Sequence, residues 1–330
     1  MKAVCYLYQV VQNCIIEQLA IKIKEKIDLT KLNADLSEEK IYKIDDSIEG
    51  WADALGVLTA SYSPHDEFSD FHGKKVTFDY SAIRPKGSSL SYGVGKAPGH
   101  EPLEKALEKI REVFNKSVDS GSKKLRTIDA YDIIMHASDA VLSGGVRRSA
   151  CLAMFSVDDE LMLNAKIGDW YYENPQRARS NNSALLLKNS TGREDYHRLF
   201  ESTRQFGEPG IIWSHSTESL FNPCVEINLY GYDEQGNSGW QACNLCTING
   251  SKLQTKENFA LAAKVASIIG TLQAGYTDFD YLGKVSEFII KREALLGVSI
   301  TGIMDYPSVT LDKNNLREMA GIVLQTNEDI

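Results

Sequence analysis

The sequence predicts a mixed α/β protein in which strands alternate with helices. Three observations carry that expectation. Short apolar runs of strand length recur along the chain, helically spaced stripes separate them, and no internal repeat or low-complexity tract interrupts the order. The 330 residues are 43% hydrophobic and 25% charged, ordinary values for a globular chain of one large or two smaller domains.

Residues 1–44 read as a poorly defined entry segment, with 15–45 rich in Lys, Glu, Asp and Ile without a clear period. The stretch Ser47–Tyr62 spaces Ile48, Trp51, Leu55 and Leu58 helically behind Ser47 as N-cap. Lys75–Tyr80 alternates Val76, Phe78 and Tyr80, the pattern of a strand. Residues 83–99 hold Pro85, Gly87, Gly93, Gly95, Pro98 and Gly99, which predicts a long loop. Pro102 then opens the clearest helix, with Leu103, Ala106, Leu107, Ile110, Val113 and Phe114 in one stripe. A second helix is predicted over Ala130–Leu142. Strands are predicted at Ala150–Phe155, Ser183–Lys188, Gly210–Trp213, Val225–Tyr230 and Val298–Met304. Phe259–Leu272 is apolar almost all round, so a buried helix is expected there.

Composition excludes several classes. The formal charge of −9 argues against a protein that coats nucleic acid, and no direct DNA binding is expected. No apolar run reaches membrane-spanning length, since Gly270, Gln273 and Gly275 break the longest candidate. MKAVCYLYQVVQNC is a poor signal peptide, so the expected location is the cytoplasm. Six cysteines are too few for a disulfide scaffold, and three of them, Cys224, Cys243 and Cys246, lie close together.

That cluster is the main chemical lead. In an extended chain, residues two apart point the same way, so Asn222, Cys224 and Glu226 of FNPCVEINLY would share an edge. Pro223 cannot sit inside a paired central strand, which makes Asn-Pro-Cys a loop tip. DEQGNSG at 233–239 is a turn that would return Cys243 towards Cys224. The bland reading of any one such cysteine is buried packing, and Cys5, Cys14 and Cys151 are read as structural. Cys243 and Cys246 form a CxxC, which in isolation reads as half a zinc site or a dithiol redox pair; with no second CxxC or spaced His pair, no metal site is expected. The Gly93–Gly99 loop is neither a dinucleotide fingerprint nor a P-loop, though its backbone and Arg84, Lys86 or Lys96 are suited to a nucleotide. SGGVRRSA (143–150) reads equally as a helix end with solvated arginines or as a close approach to a ligand. RARSNNSA (177–184) reads the same two ways.

In order, SGGVRRSA, ENPQRARSNNSA, GEPGI, NPCVEI, CNL, GTLQAGYTDF and LLGVSITGIMD resemble the motifs of ribonucleotide reductases. The pattern is most similar to the adenosylcobalamin-dependent (class II) group, from about Asp45 to the end. The resemblance implies part of a ten-stranded α/β barrel with a central finger loop, occupying 45–330. Its effector-loop region would cover about 45–130, and its active-site strands and finger loop about 140–330. It implies that Cys224 becomes a thiyl radical and abstracts the ribose 3′-hydrogen. Glu226 would take the 3′-hydroxyl proton, Asn222 would orient the sugar, and Cys243 would be one of two reducing thiols. Ser180, Asn181, Gly144 and Gly145 would contact substrate; Arg84, Lys86 and Gly87 would lie in the effector loop. The implied cofactor is adenosylcobalamin. The implied partners are a ribonucleoside di- or triphosphate, a deoxynucleotide effector and a thioredoxin-like or small dithiol reductant.

Departures from the family pattern shape a further expectation. The partner of Cys243 would precede residue 1, Cys14 being a poorer match, and Cys246 stands where a non-cysteine is expected. The family's later phosphate-binding Ser/Thr-Gly segment, remaining strands and C-terminal cysteine tail have no counterpart in the sequence. The chain is therefore expected to be a catalytic segment that does not turn over alone. The alternative is an inactive or split-gene fragment completed by flanking polypeptides.

Overall fold

Exposure alternates along EKIYK, with Lys40 and Tyr42 half-buried and Glu39, Ile41 and Lys43 exposed, as in a strand, and this segment forms β1 (Glu39–Lys43), inside the stretch expected to be featureless. The computed structural model describes residues 38–63, 68–89, 96–122, 124–141, 150–217, 219–225, 227–277 and 282–330. These fall into two compact units, Met1–Asn228 and Leu229–Ile330.

In the first unit, β1 pairs in parallel with β2 (Lys75–Asp79), with Glu39 opposite Lys75. Between them runs α1 (Ile48–Tyr62), whose N-cap Ser47 accepts the Gly50 N–H at 2.9 Å, as the sequence predicts. After the loop come α2 (Glu101–Asp119) and α3 (Thr127–Val141). The predicted stripe of α2 is the buried one: Leu103, Leu107, Ile110 and Phe114 close on Leu55, Leu58 and Tyr62 of α1 and Ile133 of α3. The Tyr62 and Phe114 rings stack with centroids 4.6 Å apart. This core fixes α3, whose Tyr131 meets the next sheet.

That sheet has the order β3–β4–β5, all parallel: β3 (Cys151–Ser156), β4 (Ser180–Leu187) and β5 (Gly210–Ser214). Helix α4 (Arg193–Phe206) makes the crossover from β4 to β5 and ends on Gly207 in the left-handed region, φ 78°. Gly210 has a packing reason as well. A Cβ there would lie 2.7 Å from Ser183 Oγ on the neighbouring strand. Two short strands, β6 (Leu220–Phe221) and β7 (Asn228–Leu229), then bracket the Asn-Pro-Cys loop. The strand expected over Val225–Tyr230 is thus reduced to Asn228–Leu229.

The second unit begins with the predicted turn, where Asp233 Oδ1 accepts the Gln235 and Asn237 N–H groups at 2.9 and 2.7 Å. Strand β8 (Asn244–Asn249), helices α5 (Lys256–Ala274) and α6 (Gly283–Glu293), strand β9 (Leu296–Thr301) and helix α7 (Lys313–Asp329) follow. β8 and β9 pair in parallel, with Asn244 opposite Leu296. Helix α5 is not buried all round. Phe259, Ala263, Ala266 and Ser267 are buried, whereas Leu261, Val265, Ile269 and Leu272 on the opposite face are 44–65% exposed. The small residues let α5 approach closely; a Cβ at Gly270 would fall 1.9 Å from Leu296 Cδ1.

The described strands make one three-stranded and three two-stranded sheets. The expected ten-stranded barrel is therefore not closed among the described residues, because each sheet there ends in unpaired edge strands. No described helix is long and apolar enough to cross a membrane.

Candidate active-site loop

Three groups of contacts shape the loop that carries Cys224. Phe221 and Val225, at its two ends, pack on Leu152, Met154, Leu185 and Ile212, a cluster drawn from all three strands of the β3–β4–β5 sheet. Asn222 is 6% exposed, and its side-chain oxygen accepts the Ile227 N–H at 3.0 Å. The Asn222 backbone N–H donates to Ile227 O at 3.3 Å, and the Val225 N–H donates to Asn222 O at 2.9 Å. The backbone therefore turns back on itself within six residues. Asn181 completes the arrangement by donating its amide N–H to Pro223 O at 2.8 Å.

This geometry corrects the alternation argument. Residues 222–225 are a tight turn and not an extended edge, so Asn222 points inward while Cys224 is exposed at the tip. The physical cause is local. Pro223 withholds a ladder donor, the Asn222 side chain competes for the Ile227 N–H, and Val225 adopts φ 66°. A β-branched residue in the left-handed region is strained by about 1–3 kcal/mol, held here by the apolar seat of its side chain. Glu226 lies outside the described residues, as do Gly144 and Gly145.

The two serine–asparagine candidates part company for a simple reason. The pleat of β4 sends Ser180 and Asn182 to one face of the sheet and Asn181 to the other. Ser180 is 5% exposed and bound inside a polar network. Its hydroxyl meets Tyr131 Oη of α3 at 2.8 Å and donates to Asn182 Oδ1 at 2.7 Å, while Tyr131 also donates to Asn182 Oδ1 at 3.1 Å. Lys166 donates to Ser180 O at 2.5 Å and pairs with Glu208 at 2.8 Å; burial pulls its pKa down. Arg177 holds Asp132 of α3 through a two-pronged contact of 2.7 and 2.8 Å. Burial also raises the Tyr131 pKa, so its hydroxyl stays protonated. Ser180 is thus a structural hydroxyl on the helix-facing side, and the expectation that it contacts substrate does not fit its burial. Sequence patterning gave no sign of Tyr131 or Lys166, since each belongs to an otherwise ordinary segment, whereas Glu208 lies in the GEPGI motif.

Near the effector-loop candidates, Arg84 Nε donates to Asp46 Oδ2 at 2.6 Å, while Lys86 and Gly87 are exposed. The stem of that loop is closed by Gly87 N–H to Ala97 O at 2.9 Å and Ala97 N–H to Ser88 O at 2.8 Å. Gly87 has φ 90° and Gly99 φ 80°, and a Cβ at Gly99 would crowd the Lys86 backbone and side chain.

In the second unit, Cys243 is half-buried just before β8. Cys246, three residues on, joins the apolar cluster under α5 with Ile248, Phe259 and Ala263, which accounts for a cysteine there as packing. Cys151 is likewise buried, 3.5 Å from Ser138 Oγ. Among the described residues, no group of three or more His, Cys, Asp or Glu side chains is placed to hold a metal ion.

No family model matches the chain. It is similar to the adenosylcobalamin-dependent ribonucleoside-triphosphate reductase of Lactobacillus delbrueckii subsp. bulgaricus, 29% identical over 289 residues, covering 80% of this chain and 36% of the relative. The protein of the same description from Levilactobacillus brevis is 28% identical over 298 residues, covering 82% and 36%. The crystal structure of a B-12 dependent (class II) ribonucleotide reductase matches with a TM-score of 0.63 at 23% identity, over 94% of this chain and 46% of that one. That likeness shows a shared fold. The chain spans about a third of the length of the curated relatives it matches.

Proposed function

We propose that this chain, a homologue of class II ribonucleotide reductases over about a third of its curated relatives' length, is a catalytic segment of a ribonucleotide reductase. The observation that carries the reading is the loop itself: a thiol exposed at the tip of a turn locked on both flanks. A hydrogen-atom abstraction needs its thiol held at a fixed point, because reach and orientation set the rate.

In the proposed reaction, Cys224 as a thiyl radical takes the ribose 3′-hydrogen, and Glu226 takes the 3′-hydroxyl proton. The 2′-hydroxyl leaves as water. Cys243 and a second thiol supply two electrons and end as a disulfide, and Cys224 returns the hydrogen atom to C3′. A dithiol or thioredoxin-like reductant then reopens the disulfide. Adenosylcobalamin, when bound, supplies the radical that oxidises the Cys224 thiol, and an exposed thiol fits that need. Asn222 is placed first of all to hold the loop, through Ile227 N–H. The substrate is a ribonucleoside di- or triphosphate, the effector a deoxynucleotide read through the Arg84–Gly87 loop, the architecture a barrel completed by further strands, and the location cytoplasmic.

A second reading is a fragment that works only with a partner chain. It is favoured by the two- and three-stranded sheets of the described residues, whose edges call for neighbours. One experiment addresses both. The chain is incubated anaerobically with adenosylcobalamin, ribonucleoside triphosphates, a deoxynucleotide and dithiothreitol, alone and with polypeptides covering the rest of a relative. Deoxyribonucleotide is expected only in the completed mixture, and Cys224→Ser is expected to abolish it. Product formed by Cys224→Ser, or none in any mixture, sinks the reductase reading.

A further inference from the structure

Asn181 of β4 reaches the Asn-Pro-Cys loop through a side-chain hydrogen bond. Its position follows from the pleat. Asn181 and Leu185 lie on the same sheet face, and Leu185 is one of the four residues on which Phe221 and Val225 rest. Asn181 sits opposite Leu152 of β3, another member of that seat. Apolar contact fixes the two ends of the loop, at Phe221 and Val225, and the Asn222 side chain ties its base to Ile227. What remains between them is Pro223 and Cys224. The Pro223 carbonyl, next to Cys224, receives the Asn181 amide at 2.8 Å. Pro223 offers no N–H, so this carbonyl is the Pro223 backbone group through which the sheet can hold the tip.

We propose that Asn181 is a positioning residue for Cys224: its amide holds the Pro223 carbonyl and so fixes where the thiol is presented. The proposal rests on the reading of Cys224 as the reacting thiol. It gives Asn181 a role beside the expected substrate contact, because one N–H of its amide is engaged by the loop. The tether acts beside the apolar seat of Val225 in holding a turn whose neighbouring residue carries a strained φ of 66°.

The test uses the whole 330-residue chain and needs neither nucleotide nor cofactor. Peptide-resolved amide hydrogen exchange is measured over residues 219–229 and over β3 and β5, in wild type and in Asn181→Ala, Asn181→Asp and Asn181→Gln. Ala and Asp are expected to raise loop exchange about five-fold, which corresponds to about 1 kcal/mol at ~1.4 kcal/mol per decade, and to leave β3 and β5 unchanged. Gln, which keeps the donor on a longer arm, is expected to stay within about two-fold of wild type. Unchanged loop exchange, an equal rise across the whole sheet, or Gln as open as Ala would each overturn the tether. Because this readout is free of catalysis, its failure leaves the reductase reading standing, and the reverse also holds. In the completed enzyme, Asn181→Asp is expected to lower kcat about ten-fold with the nucleotide KM within two-fold; a rise in KM with kcat unchanged would return Asn181 to substrate binding.

Discussion

Removing one hydroxyl, by Tyr131→Phe, tests whether the buried polar network holds β4 in register. Tyr131 is fully buried, and the ring of phenylalanine fills the same space, so no cavity forms. What is lost is the contact with Ser180 Oγ at 2.8 Å and with Asn182 Oδ1 at 3.1 Å. Ser180 keeps its own bond to Asn182 at 2.7 Å, so the network is weakened and not emptied. Ser180 spends its own proton on Asn182, so the one Tyr131 proton is shared among its acceptors; the loss counts as one neutral hydrogen bond, about 1 kcal/mol, or roughly five-fold in the opening equilibrium. Amide exchange of β4 reads that opening free energy for this sheet alone, which matters in a chain of two units. The double variant Tyr131→Phe with Ser180→Ala strips Asn182 Oδ1 of both donors and is expected to open further by about 1 kcal/mol or more. A Tyr131→Phe effect under about 0.3 kcal/mol, or an equal increase in α7, would refute the reasoning.

Other outcomes follow from single contacts. Phe114→Ala, at the centre of the α1–α2–α3 core, is expected to destabilise the first unit by about 3–5 kcal/mol in urea unfolding. Val225→Gly relieves the left-handed strain but removes the side chain from the sheet, so loop exchange is expected to rise while β3 is unaffected. His136 of α3 is held down to about 4 from its ordinary 6.5, chiefly by burial, against the pull of Asp132. The folded chain therefore binds fewer protons there than the unfolded one between those values. Its contribution is complete above about pH 6.5 and is lost as pH falls towards 4, by at most about 3 kcal/mol. A stability-versus-pH curve whose slope in that window is unchanged by His136→Gln would contradict this.

Much of the fold was legible because burial and periodicity coincide. The α2 stripe from Leu103 to Phe114 faces only one neighbour set, so its spacing and its burial say the same thing. The Ser47 cap and the 233–239 turn are chosen by local hydrogen bonds and need no tertiary context. β1 was hidden because its exposed Ile41 and core-facing Tyr42 invert the usual sense of an apolar alternation. At the site, sequence spacing assumed an extended chain through Asn222 and Cys224, whereas the Asn222 side chain takes the Ile227 donor and curls it. Neighbouring Ser180 and Asn181 looked like one polar patch, yet the pleat puts a whole sheet between them. The all-apolar face of α5 could not reveal which side meets β8 and β9, because Leu261 and Phe259 carry equal hydrophobic weight in the sequence.

The parallel pairing of β8 and β9 sets the order in which the second unit is made. Thr247 and Ser299 face each other although they are 52 positions apart in the sequence. A parallel neighbour cannot arrive through a hairpin, so β8 emerges from a ribosome with nothing to pair with. At about 5–20 residues per second, β9 follows roughly 3–10 s later. Helix α5 lies wholly inside that interval and, as a helix, forms within about a microsecond of its synthesis. For several seconds the nascent chain thus displays α5 without β9 beneath it and with Leu261, Val265, Ile269 and Leu272 on its outer side. During synthesis β8 and this helix are both open to chaperones and to self-association until β9 arrives, and translation speed between Asn249 and Leu296 governs how long that lasts.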